Sequence, residues 1–542
     1  MDVKHEHFTE DEQKLLENYV TNTNRTVFVL RNLPEVIKGA LFSRYSRSTL
    51  GLRSLLIKDF ISKEEMLFSK ITGTVSEQQS EAIAKAQNFY DRILDGYGDD
   101  SIGELGSAHM AFENISMLAA KAIEDPRIGG SPLEKSTRYV FFDQKVDDKY
   151  SYFREPLIMA TAYKEIYLNT CDMLFDTYSA LIPKLTDEIG KTFPHDPTIS
   201  KGAYNAALRA KVLDCLRGLL PASTLTNMGV FGNGRFFETL LQKLSVNNLT
   251  ELSTLSKHSF EELSKVIPSF VRRSEETHHH NIAYQKFMTA MSEDLIDLGA
   301  TFPAVSENIS SPTVKLIKST ENAPLDVAAA LIFPFCNGTF SAIKERLSNT
   351  NNDEIQAILE KGWKHRTNRR HKSPRALEHA EFTFEITADY GIYRDLQRHR
   401  MLTQEKQLLS CRLGYYVPQE IKGTEMEKTY INALEKAKIA YTTIAKDLPE
   451  EAQYIVPLAY NIRWYFHINL RGLQWLCELR SQPQGHTSYR KVAQELCHQV
   501  MMAHPEFKEF FGFVDFEGHS LGRLNQEIRN EKKKLSVGLL TT

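Results

Sequence analysis

EHAEFTFEITADYGIYRDLQRHRMLTQEKQLLSCR, residues Glu378–Arg412, joins a predicted strand, a helix and a loop, and each of the three has a different chemistry. Phe382, Phe384 and Ile386 alternate with other residues, and this spacing places the three apolar side chains on one face of a strand. A short helix is predicted next, and it ends in an Arg-His-Arg sequence at positions 398–400. The stretch therefore predicts a strand–helix unit that ends in concentrated positive charge.

Two features of this unit are suited to an anion. Two arginines and a histidine in consecutive positions repel one another unless an anion neutralises them. The following Ser410-Cys411-Arg412 adds a hydroxyl and a planar guanidinium, which together suit a phosphate. A solvated basic helix end, with Arg and His against the helix dipole, explains the same residues. This stretch alone leaves both interpretations open.

Composition indicates an ordinary globular protein of about two to four domains. The chain has 542 residues, 42% hydrophobic residues and a net charge of −3, which gives no reason to expect a nucleic acid or a membrane as partner. Its six cysteines are scattered without a CxxC pair, as is typical of reduced thiols in a cytoplasmic protein. The polar N-terminus predicts no signal peptide, and no apolar run reaches the roughly 18 residues of a membrane span.

The chain contains an internal repeat. In both halves a Glu precedes a Ser-x-Arg by 32 residues, and in both halves a Pro precedes an Asn-x-Arg by 12 residues. Two such coincidences in the same order, at a period of roughly 240–275 residues, indicate a duplicated domain and not a solenoid. The paired positions are Glu104 with Glu378, Ser136 with Ser410, Pro221 with Pro457, and Asn233 with Asn469.

These residues resemble the flavin-dependent thymidylate synthases, a family marked by an Arg-His-Arg followed by Ser-x-Arg-Tyr. The second half matches with Glu378-His379, its Arg-His-Arg and the run at 456–480. The first half matches with SIGE (101–104), LEKSTRY (133–139), Arg217 and the block from Pro221 to Arg235. The resemblance, which covers most of 26–290 and 313–510, implies an α+β fold of two tandem copies, each a sheet flanked by helices. It also implies a homodimer that imitates the family's four-subunit assembly.

The resemblance gives domain boundaries, and two short strands are predicted within them, at Thr26–Leu30 and Thr313–Lys318. We expect a helical lead-in at 1–25, a first synthase-like domain at 26–295, a linker at 296–312, a second domain at 313–515 and a charged tail at 516–542.

Each half departs from the family pattern in a different place. The first half keeps the Ser-x-Arg loop, but it has Glu124-Asp125-Pro126 where the Arg-His-Arg should stand and Leu244 where the family has an arginine. The second half keeps its Arg-His-Arg and Arg480, but its loop is longer by two residues, with Leu408 in place of a Glu and Gln453 in place of an arginine. Because the family assembles its site across subunits, we expect one half to supply the nucleotide loop and the other half to supply the flavin residues and the terminal arginine.

The resemblance implies methylation of dUMP to dTMP, with methylenetetrahydrofolate as methylene donor and NADPH as reductant through FAD. Arg480 is expected to be catalytic, since a guanidinium facing the uracil stabilises developing charge by about 3–4 kcal/mol. Two alternatives stay open: a flavin- or nucleotide-binding protein of the same fold without synthase activity, suggested by Asp395 in place of a uracil-contacting Gln, and methylation of another pyrimidine nucleotide. The residues implied for dUMP are Glu134, Ser136, Thr137, Arg138, Arg217 and Arg480, and those implied for FAD are Ser101, Glu104, Glu378, Arg398, His399, Arg400, Asn469, Arg471, Asn233 and Arg235.

Structural roles are the alternative for several of these residues: Ser136-x-Arg138 as a turn, Arg480 as a helix C-terminal cation, and Asn233-x-Arg235 as a structural remnant of a lost flavin site. His278-His279-His280 predicts no metal site, because adjacent side chains point in different directions on a helix. The basic segment 364–372 is either a solvated face or a binding site for an NADPH phosphate or a polyglutamyl folate tail.

Overall fold

The computed structural model describes residues 7–33, 35–45, 48–61, 103–303 and 306–536, and the chain divides into two compact units. The second unit joins part of the predicted first domain to the whole predicted second domain, so the domain boundaries remain a prediction. The first unit is Met1–Glu113, Ala122–Glu134 and Asn227–Phe302, and the second is Asn114–Lys121, Lys135–Thr226 and Pro303–Thr542.

The first half of the chain has short strands between longer helices. Its described elements are α1 (Glu10–Leu16), α2 (Glu35–Tyr45), α3 (Leu52–Leu55) with a π-helical turn at Leu56–Ile61, β1 (Ser107–Ser116), α4 (Met117–Glu124), β2 (Gly130–Glu134), β3 (Lys145–Val146), β4 (Lys149–Tyr150), α5 (Pro156–Met159), α6 (Lys164–Thr192), α7 (Lys201–Leu216) with a 3-10 turn at Arg217–Leu219, β5 (Leu225–Asn233), α8 (Gly234–Ser245), α9 (Thr250–Leu263), α10 (Pro268–Val271) with a 3-10 turn at Arg272–Ser274, and α11 (His279–Gly299).

The second half repeats the alternation of strands and helices. Its described elements are β6 (Thr313–Ser319), α12 (Ala323–Ile332) with a 3-10 turn at Phe333–Phe335, α13 (Phe340–Ser348), α14 (Asn352–Trp363), a 3-10 turn at Arg375–His379, β7 (Glu381–Asp389), α15 (Tyr390–Leu396), β8 (Thr403–Lys406), α16 (Glu425–Ile444), a 3-10 turn at Glu451–Ile455, β9 (Asn461–Asn469), α17 (Leu470–Arg480), α18 (Thr487–Ala503), a 3-10 turn at Pro505–Phe511, and α19 (Leu524–Ser536).

The first unit contains most of a three-stranded sheet in the order β1-β5-β2 and a small N-terminal core. The strand predicted at Thr26–Leu30 is wrong, because Leu30 makes only an isolated bridge to Val20. Val27 and Val29 are 79% and 63% exposed, so the β-branched run has the propensity of a strand without a sheet to join.

The second unit is built on a four-stranded sheet in the order β6-β7-β9-β8, with every neighbouring pair antiparallel. The strand predicted at Thr313–Lys318 is confirmed by β6. The alternation predicted for Phe382, Phe384 and Ile386 is confirmed as well, since all three side chains on β7 are fully buried. Helix α15 begins directly after β7, because the Asp389 side chain accepts a hydrogen bond from the backbone of the first turn.

The predicted repeat is visible in equivalent backbone contacts within the second unit. Pro221 and Pro457 form an antiparallel bridge with each other. On either side, Ala222 N donates to Val456 O and Leu458 N donates to Leu220 O, both at 2.9 Å. The same donor–acceptor pattern on both sides of the bridge is expected if two related segments cross. The α+β fold of two tandem copies, each a sheet flanked by helices, is confirmed.

The predicted charged tail is partly helical. Glu531 on α19 hydrogen-bonds with Ser200. Arg523 immediately precedes α19, and its guanidinium lies 4.1 Å from the ring of Tyr139. Across the described part of the chain, no helix combines the length and the apolar character that crossing a membrane requires.

Candidate functional site

A cluster of arginines in the second unit surrounds the carboxylate of Asp395, which lies near the end of α15. Arg217 Nη1 lies 3.4 Å from Asp395 Oδ2, and Arg398 Nη2 lies 3.7 Å from Oδ1. Burial alone would raise the pKa of Asp395, but the charges of Arg217, Arg398, Arg480 and Arg138 hold that pKa well below its usual range. An ionised carboxylate therefore lies among cations that come from both copies of the repeat.

Arg138, from the first copy, is held in a fixed orientation. Its Nε and Nη2 donate to the two carboxylate oxygens of Asp214 at 2.5 and 2.6 Å. Its Nη1 donates to the hydroxyl of Tyr489 at 3.2 Å, and its Nη2 to the carbonyl of Gln484 at 3.1 Å. Burial acts to raise the pKa of Asp214, but Arg138 outweighs burial and holds it at about 2. A ligand at this position would meet a guanidinium that is oriented before binding.

The Ser-x-Arg segments of both copies form the same local turn. Ser136 Oγ accepts a hydrogen bond from Arg138 N at 3.3 Å, and Ser410 Oγ accepts one from Arg412 N at 3.4 Å. The turn explains the spacing of Ser and Arg in both halves, and in the first copy it places Arg138 beside Asp214. Thr137, between them, is buried.

Arg480, the last residue of α17, lies between His399 and Tyr489. Its Nε donates to His399 Nε2 at 3.2 Å. The guanidinium of Arg480 lies 5.5 Å from the ring of Tyr489, and that of Arg138 lies 5.8 Å from the same ring. One tyrosine therefore contacts the predicted catalytic arginine of the second copy and the predicted phosphate ligand of the first.

Two buried titratable groups beside this cluster were not predicted from the sequence. Asp389 Oδ1 caps α15, Oδ2 has no hydrogen-bond partner among the described residues, and burial raises the pKa of Asp389 to about 7 against the opposing charge of Arg217. Burial also lowers the pKa of His486 to about 3, assisted by Arg217, and its Nδ1 accepts from Ser488 N at 3.1 Å. At neutral pH His486 is therefore uncharged and Asp389 is only partly ionised.

The second copy forms a cavity of about 610 Å³ beside Arg480, within the range of small-molecule sites. It is lined by the predicted flavin residues of the second half together with residues of the basic segment 364–372 and Trp475. Cations and amide donors of this kind suit the pyrophosphate and ring of FAD. The predicted residues that line it are Glu378, Arg398, His399, Arg400, Asn469, Arg471 and Arg480.

Three of these residues are tied to one another or to the backbone. Arg471 Nη1 donates to Glu378 Oε1 at 2.6 Å, and its Nε donates to the carbonyl of Ser373 at 2.9 Å. Burial would raise the pKa of Glu378, but hydrogen bonds from Arg471 and Arg375 lower it. Asn469 Oδ1 caps α17 by accepting from Gly472 N at 2.9 Å, so only its amide nitrogen remains to donate to a ligand.

Three of the flavin residues predicted in the first half, Glu104, Asn233 and Arg235, lie in the first unit and have local structural roles. Asn233 caps α8, as Asn469 caps α17, and Arg235 Nη1 pairs with Glu104 Oε1 at 3.0 Å on an exposed surface. Glu134, which the sequence predicts to bind dUMP, also lies in the first unit, where it ends β2 and is buried. Ser101 lies outside the described residues.

Several site residues have no motif that could have revealed them. Asp214 lies on α7, three residues before Arg217 in the sequence. Its role is to accept hydrogen bonds from Arg138, and no sequence motif marks it for that role. His486 and Tyr489 follow Arg480 without a recognisable spacing. Within the described residues, no group of three or more His, Cys, Asp or Glu side chains could hold a metal ion.

Comparisons with known proteins give matches over most of the chain. The model of the family described as "Thymidylate synthase complementing protein" matches residues 60–269 and again residues 315–506. A "UPF0159 protein" of Chlamydia muridarum is 52% identical over 527 residues, which cover 97% of this chain and 98% of that protein. A flavin-dependent thymidylate synthase of Clostridium tetani is 25% identical over 227 residues, which cover 37% of this chain and 86% of that protein. Among solved structures, the UMP/dUMP methylase PolB from Streptomyces cacaoi bound with 5-Br dUMP has a TM-score of 0.31 and 18% identity, covering 38% of this chain and 97% of that one.

Proposed function

The chain belongs to the thymidylate synthase complementing protein family, and it contains two copies of the family's domain. We therefore propose that it is a flavin-dependent thymidylate synthase. The proposed reaction is the reductive methylation of dUMP to dTMP, with methylenetetrahydrofolate as methylene donor and NADPH as reductant. Bound FAD would carry the reducing equivalents from NADPH to the transferred methylene group. The products besides dTMP are then tetrahydrofolate and NADP⁺.

One observation carries the proposal: arginines that each half retains converge in one unit. Arg138 and Arg217 come from the half that lacks an Arg-His-Arg, while Arg398 and Arg480 come from the half that keeps it. All four charges act on the carboxylate of Asp395. This convergence supports a composite site in which the first copy supplies the nucleotide loop and the second supplies the flavin residues.

In this proposal the first copy binds the nucleotide phosphate. Arg217 is buried, and its Nη2 has no hydrogen-bond partner among the described residues, so it has a donor available. Arg138 is oriented by Asp214 and keeps one Nη1 hydrogen beyond its four bonds. Charge-assisted bonds from two arginines would fix the phosphate.

Arg480 is proposed to polarise the uracil ring. It is always charged, and its position is set by His399 and by the ring of Tyr489, so it need not reorganise as charge develops. The ordinary consequence of such a group is stabilisation by about 3–4 kcal/mol. In the cavity that Arg480 also lines, Arg398, Arg400, Arg471 and the Asn469 amide would hold the flavin pyrophosphate and ring.

The experiment that tests the function is a visible spectrum of the purified, FAD-reconstituted protein, followed by a turnover assay. We expect a flavin absorbance that shifts when dUMP is added, and formation of dTMP when methylenetetrahydrofolate and NADPH are present. Excess dCMP serves as the matched control and should leave the spectrum unchanged. A shift with dCMP instead of dUMP would replace dUMP by another pyrimidine nucleotide.

A second candidate is a flavin- or nucleotide-binding protein without synthase activity. The observation that favours it is Asp395, whose carboxylate already faces Arg217 and Arg398 and so competes with any substrate anion. Under this alternative the flavin spectrum shifts with dUMP, but no dTMP forms. Failure to bind FAD after reconstitution would contradict the synthase and leave a nucleotide-binding protein as the remaining candidate.

A further inference from the structure

The basic loop at 365–372, which follows α14, is held rigid by Arg366. The Arg366 guanidinium makes two bonds to the carboxylate of Glu478, at 2.5 and 2.6 Å, and Glu478 is fully buried. Arg366 also donates from Nε to the carbonyl of His371 and from Nη2 to that of Arg369, both at 2.9 Å. A guanidinium that is paired with a buried carboxylate therefore ties down the backbone of its own loop, whereas a solvated charged segment needs no such bonds.

This rigid loop presents three cations to the cavity beside the predicted flavin residues. Arg369, Arg370 and Lys372 all line it. The Arg369 guanidinium lies 5.2 Å from the ring of Trp475, and its Nη1 is buried with no hydrogen-bond partner among the described residues. Trp475 is 44% exposed, so its ring is accessible to a ligand. Together these four residues define the rim site.

Charge balance indicates that flavin alone does not neutralise the cavity. Among the described residues that line it, eight are Lys or Arg and a single one, Glu378, is acidic. Arg366 and Arg471 are paired with Glu478 and Glu378, and Arg398 faces Asp395. A flavin pyrophosphate brings only about two negative charges. The rim site alone carries three positive charges, which is more than the negative charge of a bound FAD could neutralise.

We propose that the rim site, formed by Arg369, Arg370, Lys372 and Trp475, binds the multiply charged anionic end of a co-substrate. The inference rests on the proposed function, because the same cavity is assigned to the flavin. Three cations suit an anion of at least two charges, and the Trp475 ring with the stacked Arg369 suits an adjoining aromatic ring. The 2′-phosphate of a reduced nicotinamide dinucleotide and the polyglutamyl tail of a folate share this chemistry.

Direct binding measurements on the purified full chain test the proposal. Adenosine 2′,5′-bisphosphate represents the dinucleotide, pteroyl-triglutamate represents the folate, and adenosine 5′-monophosphate and pteroyl-monoglutamate are their controls of lower charge. We expect one of the two highly charged probes to bind more tightly than its control, and to bind more weakly as salt is raised. The probe that does so identifies the source of the anion.

The variant that tests the residues combines Arg369→Gln, Arg370→Gln and Lys372→Gln. We expect it to raise the Kd of the bound probe about tenfold or more, since charge-assisted contacts are lost, and to change the Kd of FAD less than about twofold. Lys364→Gln is the matched control, because Lys364 belongs to the same basic segment without lining the cavity, and it should change neither Kd.

Three results would overturn the inference. The first is that neither highly charged probe binds the wild-type chain more tightly than its control. The second is that the triple variant binds the probe as the wild type does, and the third is that it loses FAD by the same factor, which would make the rim part of the flavin site. Should the triple variant not fold, quenching of tryptophan fluorescence by the probe must disappear in Trp475→Phe. Probe binding without FAD binding would contradict the proposed function and leave this inference intact.

Discussion

Replacing Arg217 by glutamine removes one positive charge from the arginine cluster and keeps a polar side chain at that position. Glutamine already stands at the corresponding position of the other copy, Gln453, since each lies four residues before the proline of its repeat. There the Gln453 side chain accepts a hydrogen bond from Leu409 N at 3.1 Å, so the local fold tolerates it. The substitution therefore removes a charge while keeping a polar side chain that the repeat itself uses.

The expected loss of stability follows from the separation of Arg217 and Asp395. At 3.4 Å, and with an effective dielectric constant of about 20, their Coulomb energy is roughly 5 kcal/mol. Arg398 and Arg480 remain near Asp395 and recover part of that energy. We therefore expect the free energy of unfolding to fall by about 2–4 kcal/mol at pH 7, which is typical of a buried charge that loses one partner.

Urea unfolding followed by circular dichroism measures this loss, and flavin absorbance measures dUMP affinity in the same preparation. With one phosphate ligand removed, the Kd of dUMP should rise roughly 30-fold, equivalent to about 2 kcal/mol. Arg463→Gln is the matched control, because Arg463 makes an ion pair with Glu307 at 2.9 Å outside the cluster. It is expected to leave the Kd of dUMP unchanged. An Arg217→Gln protein as stable as the wild type, with unaltered dUMP affinity, would show that Arg217 neither stabilises the fold through Asp395 nor binds the nucleotide.

Four further substitutions separate structural from functional roles. Because burial raises the pKa of Asp389 to about 7, its contribution to stability is full below the ordinary Asp pKa of about 4 and is lost as the pH rises through 7. Asp389→Asn, which still caps α15, should therefore raise the melting temperature at pH 8 and not at pH 4; equal melting curves at pH 8 would contradict this. Asn469→Ala and Asn233→Ala should each cost about 1 kcal/mol of stability as lost helix caps, but only Asn469→Ala should weaken FAD binding in a fluorescence titration. Arg480→Ala should abolish dTMP formation while FAD stays bound, and preserved turnover would remove Arg480 from the catalytic role.

The sequence is a good guide where chemistry is local. The alternation of Phe382, Phe384 and Ile386 predicts β7, because burial on one face of a strand leaves a period of two in the sequence. The repeat predicts the fold, because equal spacings in one order reflect a duplicated backbone. The segment Thr26–Leu30 fails for the opposite reason: whether a β-branched run becomes a strand depends on a neighbouring strand far away in the chain.

Long-range partners were beyond the reach of sequence reasoning. The Arg138–Asp214 pair joins residues 76 apart, and the contact between Arg138 and Tyr489 joins residues 351 apart. A carboxylate partner for Arg138 could be anticipated from charge alone, but not its position. The sequence does not decide the role of the 364–372 segment, because the contacts that order it are made with Glu478, more than a hundred residues away.

If the first copy supplies the nucleotide loop to a site that the second copy completes, titration of two variants with dUMP should distinguish the two copies. Arg138→Ala and Arg412→Ala remove the arginine from the same turn in the two copies. With flavin absorbance as the readout, and retained FAD as the check of folding, we expect Arg138→Ala to raise the Kd of dUMP at least about tenfold, and Arg412→Ala to leave it within about twofold. The reverse order, with dUMP affinity lost in Arg412→Ala and kept in Arg138→Ala, would mean that the second copy and not the first supplies the nucleotide loop.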